Sequence, residues 1–197
     1  VELTYSIEAP PTLRTSIRAN SDKPTIVNLA QHSYFNLDGR GTIREHELTI
    51  PADSYLAIDA EKIPTGVFQP VAGTAYDFRS PRSIGAEAGG VIDLYDHNFV
   101  VREKKTGAVH PLARLVSRKS GVVLDVFSTE PGVQLYGGQM IGSKDPGING
   151  EVYGPNAGLC LEAQLFPDAP NHADFPSTVL RPGEEYRQET LFSFARF

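Results

Sequence analysis

Apolar and polar residues alternate at a period of two in this chain, in short runs broken by turn-forming residues, and that pattern limits what it can fold into. Val1, Leu3, Tyr5 and Ile7 alternate with Glu2, Thr4 and Ser6, as in a half-buried strand. Further strands are predicted over residues 13–19, 25–37, 47–50, 54–58, 112–117, 122–128, 133–136, 159–165 and 191–197. Asn20-Ser21-Asp22-Lys23-Pro24 separates two of these, and Arg118-Lys119-Ser120-Gly121 joins two others as a hairpin. No stretch sustains the 3.6-residue period of a long amphipathic helix. The expected fold is all-β, an antiparallel β-sandwich forming a single domain over residues 1–197. Loops rich in Pro, Gly, Asp and Asn fall at 62–81, 143–157 and 166–177, a common place for ligand contacts on a rigid sandwich.

Composition narrows the partners. A chain of 197 residues can bury a sizeable core without a disulfide or metal staple. The net charge of −6 gives no footprint for nucleic acid. No apolar run approaches a membrane span, so no membrane partner is expected. Cys160 is the lone cysteine and has no intramolecular partner for a disulfide. A cytoplasmic location is expected. Export stays open, because the chain opens on Val1, inside a strand pattern and without an initiator methionine.

Four segments offer chemistry. In Asn28-Leu29-Ala30-Gln31-His32-Ser33-Tyr34-Phe35-Asn36-Leu37, an extended backbone puts Asn28, His32, Tyr34 and Asn36 on one face and Val27, Leu29, Phe35 and Leu37 on the other. The first face presents an imidazole, the side chain suited to proton transfer near neutral pH. In Leu159-Cys160-Leu161-Glu162-Ala163-Gln164-Leu165, Glu162 shares a face with Cys160 and Gln164. Spacing alone assigns Glu162 to a solvent face; a carboxylate among so many apolar residues otherwise needs a partner, a cleft or a function. In Tyr95-Asp96-His97-Asn98-Phe99-Val100, Asp96 and Asn98 share a face opposite His97. Read alone, Asp96 caps backbone amides at a strand start; beside a cleft it accepts hydrogen bonds from hydroxyl groups. Gln134, in the turn-and-strand Thr129–Tyr136, is a shaping or binding residue for a polyol.

The other histidines are expected to be incidental. His46, on a charged strand edge, and His110, before a proline, read as surface residues, and His172 lies in a loop that borders any cleft near Glu162. His32, His97 and the carboxylates lack tight ligand spacing with a third donor nearby in sequence, so no metal is expected. No Gly-x-Ser-x-Gly elbow is present.

In order along the chain, the His32 decapeptide, Ile63-Pro64-Thr65-Gly66 with Pro70-Val71-Ala72-Gly73-Thr74, the Asp96 segment, and the Glu162 segment with Phe166-Pro167-Asp168-Ala169-Pro170-Asn171-His172 resemble the aldose 1-epimerase (galactose mutarotase) family. Residues 129–136 and Leu180-Arg181-Pro182-Gly183-Glu184-Glu185-Tyr186 extend the resemblance over nearly the whole chain. It implies a large antiparallel sandwich and cofactor-free interconversion of the α and β anomers of a free hexose of glucose or galactose type. It further implies Glu162 as base on the anomeric hydroxyl, His32 as acid on the ring oxygen, and Asp96 holding sugar hydroxyls. The chain departs from the commonest family pattern at Ala30, Gln31 and Ala163, where Thr, Asn and Thr are usual. Gln31 is expected on the core side of its strand, and Ala30 removes a hydroxyl from the face of His32.

Hexose-phosphate epimerases share that fold but would need a basic phosphate cluster; no convincing one is found, although Arg79, Arg82 and Arg102 leave the option open. The resemblance also implies an upstream segment with a sugar-binding histidine in a Leu-His-Gly-Gly-like context and a pocket arginine, neither of which occurs here. The full protein is therefore expected to be longer, or a second chain to supply the missing strands, with sheet edges and an apolar face otherwise uncovered. The competing expectation is a non-catalytic carbohydrate-binding or regulatory module; a pocket too incomplete for either role is the third.

Overall fold

The computed structural model describes residues 1–85, 95–142, 144–147 and 150–197. In chain order its strands are β1 (Glu2–Glu8), β2 (Thr12–Ala19), β3 (Thr25–Ile26), β4 (Tyr34–Phe35), β5 (Glu47–Thr49), β6 (Ser54–Ile58), β7 (Pro64–Pro70), β8 (Arg82–Ser83), β9 (Asp96–Val100), β10 (His110–Val116), β11 (Val122–Ser128), β12 (Gly132–Tyr136), β13 (Leu159–Gln164), β14 (Val179–Leu180) and β15 (Tyr186–Arg196). They form a seven-stranded sheet in the order β1-β2-β15-β11-β10-β5-β8, a six-stranded sheet in the order β4-β13-β12-β9-β6-β7, and a small β14-β3 ribbon. Every described pairing is antiparallel.

The all-β expectation holds, and period-two patterning explains why. Leu48, Leu112, Leu115, Leu124, Val126 and Phe192 project inward from the larger sheet, and Phe99, Val133, Leu135, Leu159 and Leu161 from the smaller one, into one core. Each such buried side chain contributes about 1.5–3 kcal/mol. The hairpin between β10 and β11 turns at Gly121, whose φ of 72° is open to glycine at no steric cost.

Four expectations about strands and histidines are revised. β1 is an outer strand exposed along its whole length, not a half-buried one; Leu3, Tyr5 and Ile7 are 46%, 51% and 86% exposed. The strand expected over 25–37 shrinks to two short pieces, β3 and β4, and residues 27–33 between them belong to no strand. The loop expected over 62–81 contains β7, missed because it is an edge strand with a proline at each end, where no inward ladder bond is lost. His46 and His110 are buried, not on the surface. The His46 ring stands in for a backbone acceptor, taking the Leu37 N–H on Nε2 at 2.9 Å. His110 opens β10 with its Nδ1 3.1 Å from the Ala108 carbonyl. Burial lowers the pKa of both rings, so both are held toward the neutral form.

The apolar half of the decapeptide behaves as expected although its backbone is irregular. Val27 and Leu29 pack on a cluster formed by Ile17, Ala19, Leu165, Leu180 and Tyr186, and Phe35 and Leu37 pack on the main core. Gln31 does not face the core. Its Oε1 accepts from the Tyr5 hydroxyl of β1 at 2.8 Å, and its Nε2 donates to Ser33 Oγ at 2.8 Å. Of the loop expected at 143–157, residues 143, 148 and 149 lie outside the described residues.

Candidate active site

Three adjacent strands of the smaller sheet set the site. In register, Asp96 lies across from Tyr136 and Tyr136 from Cys160; Asn98 lies across from Gln134 and Gln134 from Glu162. Because side chains alternate, these six residues share one face, opposite the core-facing His97, Phe99, Val133, Leu135, Leu161 and Ala163. The faces read from the sequence for β9 and β13 are those observed.

His32 enters this face from the side. Tyr34 pairs with Cys160 at the start of β13, which brings the segment just before it over Glu162. His32 Nε2 lies 3.5 Å from Glu162 Oε1, and His32 Nδ1 lies 3.4 Å from Cys160 Sγ. The ring sits among Tyr34 and Tyr136 at centroid distances of 5.3 and 6.5 Å. The His32 side chain is 54% exposed and that of Glu162 only 10%, so an accessible imidazole covers a secluded carboxylate. Glu162 is therefore not on an ordinary solvent face. Its pKa is raised above the usual carboxylate value, first by burial and further by Asp96, with His32 opposing.

Asp96 does not cap backbone amides. Its Oδ1 accepts from Gln134 Nε2 at 2.9 Å and its Oδ2 from Lys62 Nζ at 3.2 Å. Gln134 thus fixes Asp96 while lying beside Glu162 in register. Lys62 was not singled out by sequence. It reaches Asp96 from a turn whose backbone Asp59 secures through the Glu61 and Ile63 amides, and its φ of 66° lies in the left-handed region. The clue was its place just before Ile63-Pro64-Thr65-Gly66.

Asn28 and Asn36 serve the backbone more than the pocket. Asn28 binds the Leu165 main chain, and Asn36 Nδ2 donates to the Ala157 carbonyl at 2.9 Å. His172 is a structural clasp: its Nε2 lies 3.2 Å from the Pro64 carbonyl oxygen and 3.2 Å from Asp168 Oδ2. Arg79 is engaged by Asp77 and Asp53, and Arg82 by the Ala75 carbonyl, so neither is presented as a phosphate ligand.

Sequence assigns Cys160 no role beyond an unpaired cysteine sharing a face with Glu162. It is buried, and its thiol pKa is pushed up to about 12, chiefly by burial and then by Glu162, which favours the protonated thiol. Its partner in the site, His32, comes from 128 residues upstream, a proximity that local spacing cannot reveal. A hollow of about 620 Å³ begins at Tyr34 and continues past Asn36, Ile141 and Tyr153. Among the described residues, no helix is long and apolar enough to cross a membrane.

The sequence profile of the aldose 1-epimerase family matches residues 1–193. The galactose mutarotase of Rattus norvegicus is 44% identical over 99% of this chain and 57% of its own length. The aldose 1-epimerase of Escherichia coli is 38% identical over 96% of this chain and 57% of its own length. Among solved structures, an aldose epimerase homologue from C. elegans superposes with a TM-score of 0.88 at 34% identity, covering 98% of this chain and 59% of that one. The chain thus spans little more than half the length of the relatives it matches.

Proposed function

The chain belongs to the aldose 1-epimerase family, and from that premise we infer that it acts on free hexoses of the glucose or galactose type, interconverting their α and β anomers. Glu162 takes the proton of the anomeric hydroxyl while His32 gives one to the ring oxygen. The ring opens, the aldehyde turns about the C1–C2 bond, and closure with both transfers reversed yields the other anomer. Asp96, held by Gln134, accepts hydrogen bonds from sugar hydroxyls and fixes the ring's orientation, and Gln134 lines the same face.

The observation that carries this reading is the His32–Glu162 pair, 3.5 Å apart, one exposed and one secluded. The hemiacetal carbon bears both reacting oxygens, so its acid and base must be close neighbours. A base must also bind protons more tightly than an ordinary surface carboxylate to work near neutral pH, and burial gives Glu162 that shift. A positioned acid or base is worth about 10²–10⁴-fold in rate, ample for a reaction that already runs slowly in water. The chemistry asks for no cofactor. We place the protein in the cytoplasm, where a reduced cysteine in the site is compatible with the redox state.

Polarimetry on freshly dissolved α-glucose and α-galactose tests this. The parent should exceed spontaneous mutarotation, and His32→Ala and Glu162→Gln should each abolish the excess. A parent that binds sugar by calorimetry without accelerating anomer exchange would instead be a carbohydrate-binding module, and either variant matching an active parent would refute the assigned pair.

A further inference from the structure

The acid–base scheme leaves Cys160 without a task, yet its thiol lies at the centre of the site. Cys160 and Glu162 occupy alternate positions of β13 and project from one face of a strand paired with β12 at both positions and with β4 at Cys160. Both are buried. His32 closes over them, Nδ1 toward the sulfur at 3.4 Å and Nε2 toward the carboxylate at 3.5 Å. One ligand atom from each of the three lies within 4.8 Å of the other two. Thiolate, imidazole and carboxylate are the donors that cations of the zinc class take, and three protein ligands with an open fourth position is an established arrangement for them.

We propose that His32, Cys160 and Glu162 form a binding site for a soft divalent cation of the zinc class. Two donors are fixed by the strand, and the third is the most adjustable: the His32 side chain is 54% exposed, so its ring has room to turn one nitrogen between the sulfur and the carboxylate. Closing onto a metal draws the donors to bonds of about 2.0–2.3 Å. The cation displaces the thiol proton, which passes to solvent, and water takes the fourth position on the cleft side. Occupation ties up the nitrogen and the carboxylate that the epimerase reaction needs. This last consequence rests on the function proposed above; the binding itself does not.

The test titrates Cd²⁺ alone into the reduced, chelator-treated chain, following the ultraviolet thiolate-to-metal charge-transfer band, with calorimetry for stoichiometry. One equivalent is expected to bind with the band. Cys160→Ser should remove the band, and His32→Gln should weaken binding at least about tenfold. His32 is exposed, so its variant decides the matter if Cys160→Ser fails to fold. An absent band, or binding that survives both substitutions, overturns the site. Neither readout needs turnover, so failure here is separable from failure of the epimerase assignment. Zn²⁺ that binds an active parent yet leaves mutarotation unchanged overturns the coupling to the acid–base pair.

Discussion

The side chain of Asn28 and the backbone of Leu165 exchange two hydrogen bonds: Asn28 Nδ2 donates to the Leu165 carbonyl at 2.9 Å, and the Leu165 N–H donates to Asn28 Oδ1 at 3.0 Å. A side chain thereby does the work of a paired strand residue, where the segment carrying His32 leaves regular pairing. His32 follows on one arm and Glu162 precedes on the other. The exchange therefore ties the segment carrying His32 to the strand carrying Glu162, which makes Asn28 a candidate positioning residue for the proposed acid–base pair.

Asn28→Ala should lose both bonds, at a cost of about 1–2 kcal/mol in stability. It should lower kcat about tenfold or more, with little change in KM, because the misplaced imidazole still borders the sugar. Asn28→Asp keeps the acceptor and should fall between. Polarimetric kcat and KM, normalised to folded protein by urea denaturation, check this. An unchanged kcat per folded molecule would reduce Asn28 to a purely structural role.

The pH profile should report Glu162. As the proposed base it must be unprotonated, so kcat/KM should fall with acid along a limb centred above 4.5, the ordinary value for this carboxyl. Burial is the largest cause of the shift; the His32 charge opposes it and the Asp96 charge adds to it. Asp96→Asn removes a raising influence, so the limb should move to lower pH while KM rises from the lost sugar contact. The measurement is log kcat/KM against pH for parent and variant. A limb that stays in place would mean that Asp96 does not act electrostatically on the base.

Much of this site was legible because alternation in β9 and β13 assigns faces residue by residue. Asp96, Glu162 and Cys160 were placed on their correct sides, and Val27, Leu29, Phe35 and Leu37 in the core. What local patterning could not give was anything depending on the third dimension. Glu162 reads as solvent-facing until His32 is seen over it, with Tyr34 and Tyr136 beside the imidazole. His46 reads as surface from its charged neighbours, yet its ring is needed inside as the acceptor for Leu37 N–H. Gln31 was misplaced because the two-residue period was carried through residues 27–33, whose backbone is pinned by Asn28 instead of by a ladder.

Glu162 should weaken the fold that holds it. Its pKa is raised in the folded chain, so the native state keeps this proton to higher pH than the unfolded chain does. The favourable contribution is complete below 4.5 and is lost as pH rises through the native value. Glu162→Gln removes that dependence. At neutral pH the variant should melt about 2–4 °C higher than the parent while losing activity. The gain should vanish toward pH 4. Thermal denaturation at both pH values decides it, and a variant less stable than the parent at neutral pH would show that the His32 pairing outweighs desolvation.

Gly66 and His172 should be energetically coupled. Gly66 has φ of 83°, and a Cβ there would lie 2.6 Å from His172 Nδ1. Gly66→Ala therefore combines left-handed backbone strain of about 1–2 kcal/mol with an overpacking cost of about 1–3 kcal/mol. His172 cannot simply retreat, because its other nitrogen is engaged with the Pro64 carbonyl and Asp168 and its ring packs on Phe175 at 4.8 Å. In a His172→Ala background the clash disappears and only the backbone strain remains. A double-mutant cycle by urea denaturation should show the Gly66→Ala penalty shrinking by the overpacking share. Equal penalties in the two backgrounds would mean that His172 does not clasp β7 at this point, and that the loop after Glu162 is held by the Phe68–Phe166–Phe175 cluster alone.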